Sequence, residues 1–460
     1  MTTAAGPITL DRLKSLVADG AIDTVVSAAC DMQGRLVGKR VTAPFFVQHC
    51  LDHGTHLCTY LLGTDMEMNT PDGFRLMNWE SGYGDFLAVP DWGTLRVLPW
   101  QEKTAFVFAD WTDEATHGLV PIAPRSILKA QIAKAEAMGF RPRFASELEF
   151  YLLRDTYEEA EEKGFAGLRP FGWHNEDYQL LQGTKAEPLY RQFRNLMSAA
   201  GVPIEFSKGE AGIGQHEVNI HYADALESAD RAMLYKHGSK EIAAQNGCSI
   251  TFMAKPQHDW TGSSSHIHLS LWDRDGNRNL FPADGGDGRT MSDAMRWFLG
   301  GLMAGSRELS LFIASTVNSY KRYAVASWAP VNIVWARDNR TCGFRIVGSG
   351  SALRIENRLP GGDANVYLAY AAVLAAGLRG IERRIEPPAE HVGNGYAATG
   401  CERMPRALHE AIAALEGSDL AREALGDEVV DHYLNYARVE QAAFDMAVTD
   451  WERRRYFERG

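Results

Sequence analysis

The chain has 460 residues, a length that makes two or more domains the prior and leaves ample sequence to bury a large interior. Its 45% hydrophobic and 23% charged content is that of a soluble globular protein, which excludes a disordered chain. Lys plus Arg at 47 against Asp plus Glu at 59 gives a net charge of -12, which excludes broad attraction to nucleic acid or an anionic membrane surface; an anionic ligand must meet a local basic cluster.

The amino terminus MTTAAGPITLDRLKSLV lacks a basic region followed by a long apolar one, and no run reaches the ~18 apolar residues of a membrane span, so a cytoplasmic location is expected. Leu10, Leu13, Leu16 and Val17 form an amphipathic start. The strand-like runs DTVVSAAC, TLRVLPW and TAFVFAD follow, punctuated by Gly and Pro, and predict a small sheet-rich domain over residues 1–118. In VPIAPRSILKAQIAKAEAMGF, Leu128, Ile132, Ala135 and Met138 recur at helical spacing after a proline-marked start, and Gly139 offers a stop. A second domain over 119–460 begins here. The six cysteines, Cys30, Cys50, Cys58, Cys248, Cys342 and Cys401, show no paired spacing, so neither a disulfide framework nor a thiolate zinc site is indicated and a reducing compartment fits.

Strands then alternate with helices. FASELEFY (144–151), EVNIHYA, SITFMAKP, SHIHLSLW, NIVWARD, GFRIVG and LRIENRLP read as strands, with helices around 188–200, 226–246, 291–314 and 363–381. VYLAYAAVLAAGL (366–378) is too short to span a membrane and reads as a buried helix. Residues 155–173 and 273–293 read as long surface loops from their acidic and glycine content. Phe444, Val448 and Trp451 share a face and predict a final packed helix.

In an extended strand Glu147 and Glu149 point to one face, with Leu148 and Phe150 on the other. Neighbouring carboxylates on a half-buried sheet repel one another unless a cation sits between them or one takes up a proton; a solvated edge strand is the bland alternative. Glu210 and Glu217 flank a loop whose Gly212 and Gly214 let the backbone fold back, so that both can converge on a cation. His266 and His268 share a strand face, as do Arg354, Glu356 and Arg358. Taken singly, an H-x-H is usually a surface strand and an R-x-E-x-R a ladder of ion pairs. Together, five glutamates and a histidine suit Mg or Mn, which prefer oxygen donors. Arg322, Arg337, Arg340, Arg345, Arg354 and Arg358 lie within 37 residues, an anion-binding concentration in an acidic chain. Carboxylates for metals beside arginines for anions point to phosphoryl transfer.

Through these ordered motifs the chain resembles the glutamine synthetases over almost its whole length. SELEF resembles their first metal strand, GEAGIGQHE the second carboxylate pair, SSSHIHLS the histidine strand, and NSYKR, DNR and RIENR the arginine segments. The resemblance implies an α+β fold: an amino-terminal beta-grasp domain on a catalytic α/β domain with a curved antiparallel sheet. It also implies active sites shared between subunits of a ring-stacked homo-oligomer, a dodecamer. Glu149, Glu210 and Glu217 would hold one Mg2+ or Mn2+ and Glu147, His266 and Glu356 the other, with two to three ions per site. Glu205, Tyr222, His268, Ser270 and Arg354 would line the ATP site, with Arg340 and Arg345 also on the nucleotide and Tyr222 stacking on adenine. Arg322, Arg340 and Arg358 would grip L-glutamate and the transferring phosphoryl group, with Gly262 beside the amino acid.

The chain departs from the ammonia-using members where they carry a flap glutamate six residues after the arginine of N-S-Y-K-R. The matching position is Trp328, and no Asp or Glu occurs from Tyr323 to Arg337. Tryptophan cannot act as a base, but its flat face suits the carbon portion of an organic amine; alternatively it anchors the flap. Asp65, in LLGTDMEM, matches the other ammonium-site carboxylate of the family. Thr261, Gly262, Ser263 and Ser264 replace a common N-G-S-G pattern. SWAP and DNRTCGFRIVGSG resemble the branch that joins glutamate to organic primary amines, which implies a glutamate–amine ligase for a small alkylamine or amino alcohol such as isopropylamine or ethanolamine. A true glutamine synthetase and a catalytically silent assembly member are the alternatives. Tyr396 lies where some bacterial members carry a nucleotidylated tyrosine, in different surroundings.

Overall fold

The computed structural model describes residues 6–324 and 327–460. Its amino-terminal part runs β1 (Gly6–Pro7), α1 (Leu10–Ala18), β2 (Thr24–Cys30), β3 (Leu36–Thr42), α2 (Ala43–His49), β4 (Thr55–Cys58), β5 (Asp85–Pro90), β6 (Arg96–Val97) and β7 (Thr104–Thr112). These strands form one mixed sheet in the order β1-β6-β7-β2-β3, with β5 on β7 and β4 on β5, and β2 parallel to β7. Leu13 and Leu16 of α1 and Phe46 of α2 pack onto Val25 and Val107, so the sheet grasps its two helices through one small apolar core.

The catalytic part begins with α3 (Pro124–Ala137) and β8 (Phe140–Leu153), followed by α4 (Tyr157–Glu162), α5 (Leu180–Thr184), α6 (Glu187–Ala199), β9 (Ile204–Gly209), β10 (Gln215–Ile220), β11 (Ala223–Asp224), α7 (Ala225–Gln245), β12 (Ser249–Thr251) and β13 (Ser265–Asp273). It continues with α8 (Asp293–Gly305), α9 (Ser310–Ile313), β14 (Trp335–Arg337), β15 (Phe344–Val347), β16 (Arg354–Asn357), α10 (Val366–Arg383), α11 (Leu408–Glu416), α12 (Asp419–Leu425), α13 (Asp427–Met446) and α14 (Asp450–Tyr456). The second sheet has the order β14-β15-β16-β13-β8-β10-β9, antiparallel except for β14 with β15, and β11 and β12 also pair with β8. The apolar run expected to be buried is α10, packed against α8 and α3. Among the described residues no helix is long and apolar enough to cross a membrane, and all six cysteines are free.

Three expectations about elements are corrected. The loop expected at 155–173 contains α4, started by a capping box in which Thr156 and Glu159 satisfy each other's backbone N–H groups. The helix expected over 291–314 is two, α8 and α9. The final packed helix is also two, because Thr449 and Glu452 form a second capping box that starts α14, and Val448 and Trp451 stay 62% and 60% exposed.

The two parts are joined by a buried knot. The Arg125 guanidinium on α3 donates to Asp91 (2.7 Å) and Asp110 (2.6 Å) of the amino-terminal part and to Asp230 (2.8 and 3.0 Å) of α7. Tyr367 of α10 adds a hydroxyl to Asp230 at 2.6 Å, and the Asn365 amide donates to the carbonyls of Asp31 and Met32. A buried guanidinium meets its desolvation cost here through several charged hydrogen bonds.

Candidate active site

Alternation along β8 sets the site. Phe144, Leu148 and Phe150 are fully buried on one face, and the opposite face carries Arg143, Ala145, Glu147 and Glu149. Antiparallel register then lays further polar groups beside them: Glu217 is opposite Glu149, Asn219 and His266 flank Glu147, and His268 sits between Ala145 and Glu356. Arg345 is opposite Glu356. The turn before β10 requires glycine, since Gly214 has φ +76° and a Cβ on Gly212 would lie 2.0 Å from the Tyr151 hydroxyl.

Ligand atoms of Glu147, His266 and Glu356 lie within 4.8 Å of one another, and so do those of Glu149, Glu217 and His266. His266 Nδ1 is 3.1 Å from Glu147 Oε1 and 3.7 Å from Glu356 Oε1. His268 Nδ1 accepts from Arg354 Nε at 3.0 Å, which leaves its Nε2–H to donate to Glu147 at 3.1 Å. Ser264 N and Gln215 Nε2 donate to Glu149 at 2.8 and 3.1 Å.

The carboxylates divide electrostatically. Burial pushes Glu149 up to about 8, with the Glu210 charge adding to it, and burial raises Glu217 well above its ordinary value, with Glu147, Glu210 and Glu149 in support. Burial would raise Glu147 and Glu356 as well. Hydrogen bonds from His266 and His268 instead hold Glu147 well below the carboxylate range, and Arg358 above all brings Glu356 to about 2. Two mutually repelling buried carboxylates, together with a buried His266 Nε2 that has no hydrogen-bond partner among the described residues, make a donor set that fits an oxygen-preferring divalent cation. Glu210 pairs with Lys208, two residues earlier, while its charge still bears on Glu149 and Glu217; His266 offers the third ligand atom of the compact group with those two.

These shifts fix a pH dependence. A folded pKa of about 8 against an ordinary 4.5 for Glu149 makes the ion-free protein lose stability as pH rises through that interval, whereas a divalent cation requires the ionised carboxylates. The Mg2+-induced rise in melting temperature is therefore expected to grow from near zero at about pH 5 to a few °C at about pH 8. A rise that does not vary with pH, read by differential scanning fluorimetry, would remove these carboxylates from the ion site.

Arg322 is 1% exposed; it donates to Leu359 O (2.8 Å), Ser264 Oγ (2.6 Å) and Arg358 O (3.1 Å). Its stem presses on Gly262, where a Cβ would lie 2.7 Å from Arg322 Cγ. Arg358 pairs with Glu356, and the Nε atoms of both arginines are buried without partners among the described residues. Arg345 also binds Glu356 (2.9 Å) and lies outside the expected nucleotide lining; Arg340 is exposed and unpaired among the described residues.

A cavity of about 430 Å³ beside Glu147 is lined by Glu205, Tyr222, His268, Ser270 and Arg354, the five residues expected together there. Sequence reasoning missed Arg143, Phe206 and Trp272 in the same wall. The Arg143 guanidinium lies 4.1 Å over the Trp272 ring and 5.9 Å over Tyr222, making a flat cationic slot for a planar ligand. Alternation could have found Arg143, four residues before Glu147, and Trp272, two after Ser270.

The structure does not gather Asp65 into this site. Its carboxylate accepts from Asn69 N (2.7 Å) and Nδ2 (2.9 Å), and Arg35 ties the loop to the amino-terminal domain through Met66 O (2.8 Å). Trp328 is 57% exposed, with φ +61°; Val325 and Ala326 of the same flap lie outside the described residues.

Comparison with known proteins agrees with this geometry. A family model described as glutamine synthetase, catalytic domain, matches residues 121–456. The chain is 50% identical over 455 residues to the gamma-glutamylethanolamide synthetase of Streptomyces coelicolor, covering 98% of this chain and 96% of that one. It is 38% identical over 450 residues to the glutamate–isopropylamine ligase of a Pseudomonas species, covering 97% of each. The solved GmaS complex with ADP has a TM-score of 0.84 at 30% identity, covering 97% of this chain and 99% of that one. With a catalytic-domain match over most of its length and relatives along nearly all of it, the chain belongs to the glutamine synthetase family.

Proposed function

We propose that the protein is an ATP-dependent ligase that joins the γ-carboxyl of L-glutamate to a small organic primary amine. The observation that carries this reading is the flap: Trp328, exposed beside the arginine segment, stands where the ammonia-using members place an acid, and no carboxylate lies between Tyr323 and Arg337. A carboxylate is a poor acylating agent, so ATP first transfers its γ-phosphoryl group to glutamate and leaves as ADP; the amine nitrogen then attacks γ-glutamyl phosphate, expelling phosphate and losing a proton to give the amide. Divalent cations, when bound, neutralise the phosphoryl oxygens. Glu147, His266 and Glu356 would hold one, and Glu149 and Glu217 another. Arg143, Tyr222, Trp272 and Arg354 would receive the nucleotide. Arg322 and Arg358, each with a free Nε edge, would orient the glutamate and phosphoryl anions.

In an assembly with shared active sites, Asp65 would be the acid that a neighbouring subunit offers to the amine. Exposed Val448 (62%), Trp451 (60%) and Phe457 (92%) at the carboxyl end support a homo-oligomer, which would cover them.

Phosphate release by the purified protein with ATP, Mg2+ and glutamate tests the reading against ammonium, methylamine, ethanolamine, isopropylamine and putrescine, with products identified by mass. One organic amine is expected to exceed ammonium by at least about tenfold in kcat/KM. Ammonium in the lead would make the protein an ordinary glutamine synthetase.

A further inference from the structure

Between α9 and β14 the one regular element among the described residues is the turn Ser319–Arg322. No strand ladder holds it, so its place depends on hydrogen bonds from side chains. Its last residue needs close placement. Arg322 donates to Ser264 Oγ at 2.6 Å and Ser264 N donates to Glu149 at 2.8 Å, which sets the guanidinium two hydrogen bonds from the ligand cluster.

Thr316 and Ser319 close a reciprocal ring at the foot of this turn. Thr316 N donates to Ser319 Oγ at 3.1 Å, and Ser319 N donates to Thr316 Oγ1 at 3.2 Å. Each hydroxyl thus receives a backbone proton and has one of its own to give. Both give it to Asp363 Oδ2, from Ser319 at 2.6 Å and from Thr316 at 3.1 Å. An oxygen that takes both protons carries none itself, and an ionised carboxylate strengthens each bond through its charge.

Asp363 is a fixed post for this clasp. The buried Lys236 ammonium donates to the carbonyls on either side of it, Gly362 O (2.9 Å) and Ala364 O (3.0 Å). A Cβ on Gly361 would lie 2.6 Å from Asp363 Oδ1, so the carboxylate rests against bare backbone. That Oδ1 is enclosed without a hydrogen-bond partner among the described residues, an arrangement that costs stability rather than adding to it. The same segment meets the turn a second time, where Arg322 donates to Leu359 O (2.8 Å) and Arg358 O (3.1 Å) and the Tyr323 hydroxyl to Leu359 O (2.7 Å). The segments that carry Arg322 and Arg358 are therefore joined at two points, and two points fix an orientation where one would leave a hinge.

We propose that Asp363 is a positioning residue for the glutamate site: through the hydroxyls of Ser319 and Thr316 it fixes the placement of Arg322 relative to Arg358. This rests on the roles proposed above for the two arginines. Asn318 ties the same turn to Lys255 in both directions at 2.9 Å, so variants at the clasp should fold with the turn tilted.

The test is steady-state kinetics of the full-length wild type, Asp363→Ala, Asp363→Asn, Ser319→Ala and the Asp363→Ala/Ser319→Ala double variant. Glutamate and ATP are varied separately with the best acceptor saturating, and each protein is melted. Asp363→Ala is expected to raise the KM for glutamate about tenfold or more while the KM for ATP stays within about twofold. Ser319→Ala should act in the same direction, the double variant should add little to Asp363→Ala, and Asp363→Asn, which keeps a neutral acceptor, should recover most of the loss. Glutamate and ATP constants that rise together overturn the proposal, as does a lower melting temperature with an unchanged KM for glutamate, or an additive double variant. If Asp363→Ala does not fold, the single hydroxyl deleted in Ser319→Ala carries the same comparison. With ammonium as the best acceptor the ligase reading falls while this test runs unchanged; a chain that turns over no acceptor overturns both.

Discussion

Glu147→Ala is expected to lower ATP-dependent phosphate release by about a thousandfold or more, because it removes the carboxylate that His266 and His268 both contact at 3.1 Å at the centre of the ligand cluster. Glu356→Ala should do the same with a second effect. Its side chain is 1% exposed and neutralises Arg345 and Arg358, so truncation leaves buried charge uncompensated, at a cost of about 3–5 kcal/mol. The two variants are therefore separable. Glu147→Ala should fold and fail to turn over, whereas Glu356→Ala should also melt earlier. Calorimetry of each variant with and without Mg2+ adds a readout independent of activity. Full turnover in Glu147→Ala would show that the cluster is not the reaction centre.

Trp328→Glu should weaken use of the organic amine by at least about tenfold, through loss of an aromatic face over its carbon chain, and should admit ammonium by restoring an acid to the flap. The backbone supplies a control. Trp328 sits at φ +61°, a conformation that costs an L-residue roughly 1–2 kcal/mol and glycine nothing. Trp328→Gly should thus keep the flap's shape, lose the organic amine and gain no ammonium activity. If neither variant alters the ranking of amines, Trp328 only anchors the flap.

Much of the site was legible because a strand has only two faces. Once FASELEFY read as a strand, Glu147 and Glu149 had to share one side with whatever pairing set beside them, and His266, Glu217 and Glu356 arrived by register. The same alternation ran on to Arg143 and Trp272, where the reading stopped at residues already associated with metals and nucleotide. Loops were less legible. The position of Glu210 depends on a side-chain choice between other carboxylates and Lys208, and that of Asp65 on Arg35, thirty positions away. At the carboxyl end the apolar spacing suggested one continuous helix, but the T-x-x-E at Thr449 is a start signal within the pattern.

The register of β8 with β10 and β13 has a consequence for what this scaffold can be altered to do. A one-residue slip would turn Glu147 and Glu149 inward and bring Phe144, Leu148 and Phe150 to the surface, so the half of the site that handles the nucleotide is locked to the fold itself. The half proposed to receive the nucleophile is the flap around Trp328, which no strand pairing constrains. Exchanging one amine for another thus needs only a few loop substitutions, whereas exchanging the phosphoryl donor would require a different sheet. The molecule works as a fixed activation engine with an interchangeable acceptor port, and engineering for new γ-glutamyl amides should begin at that port.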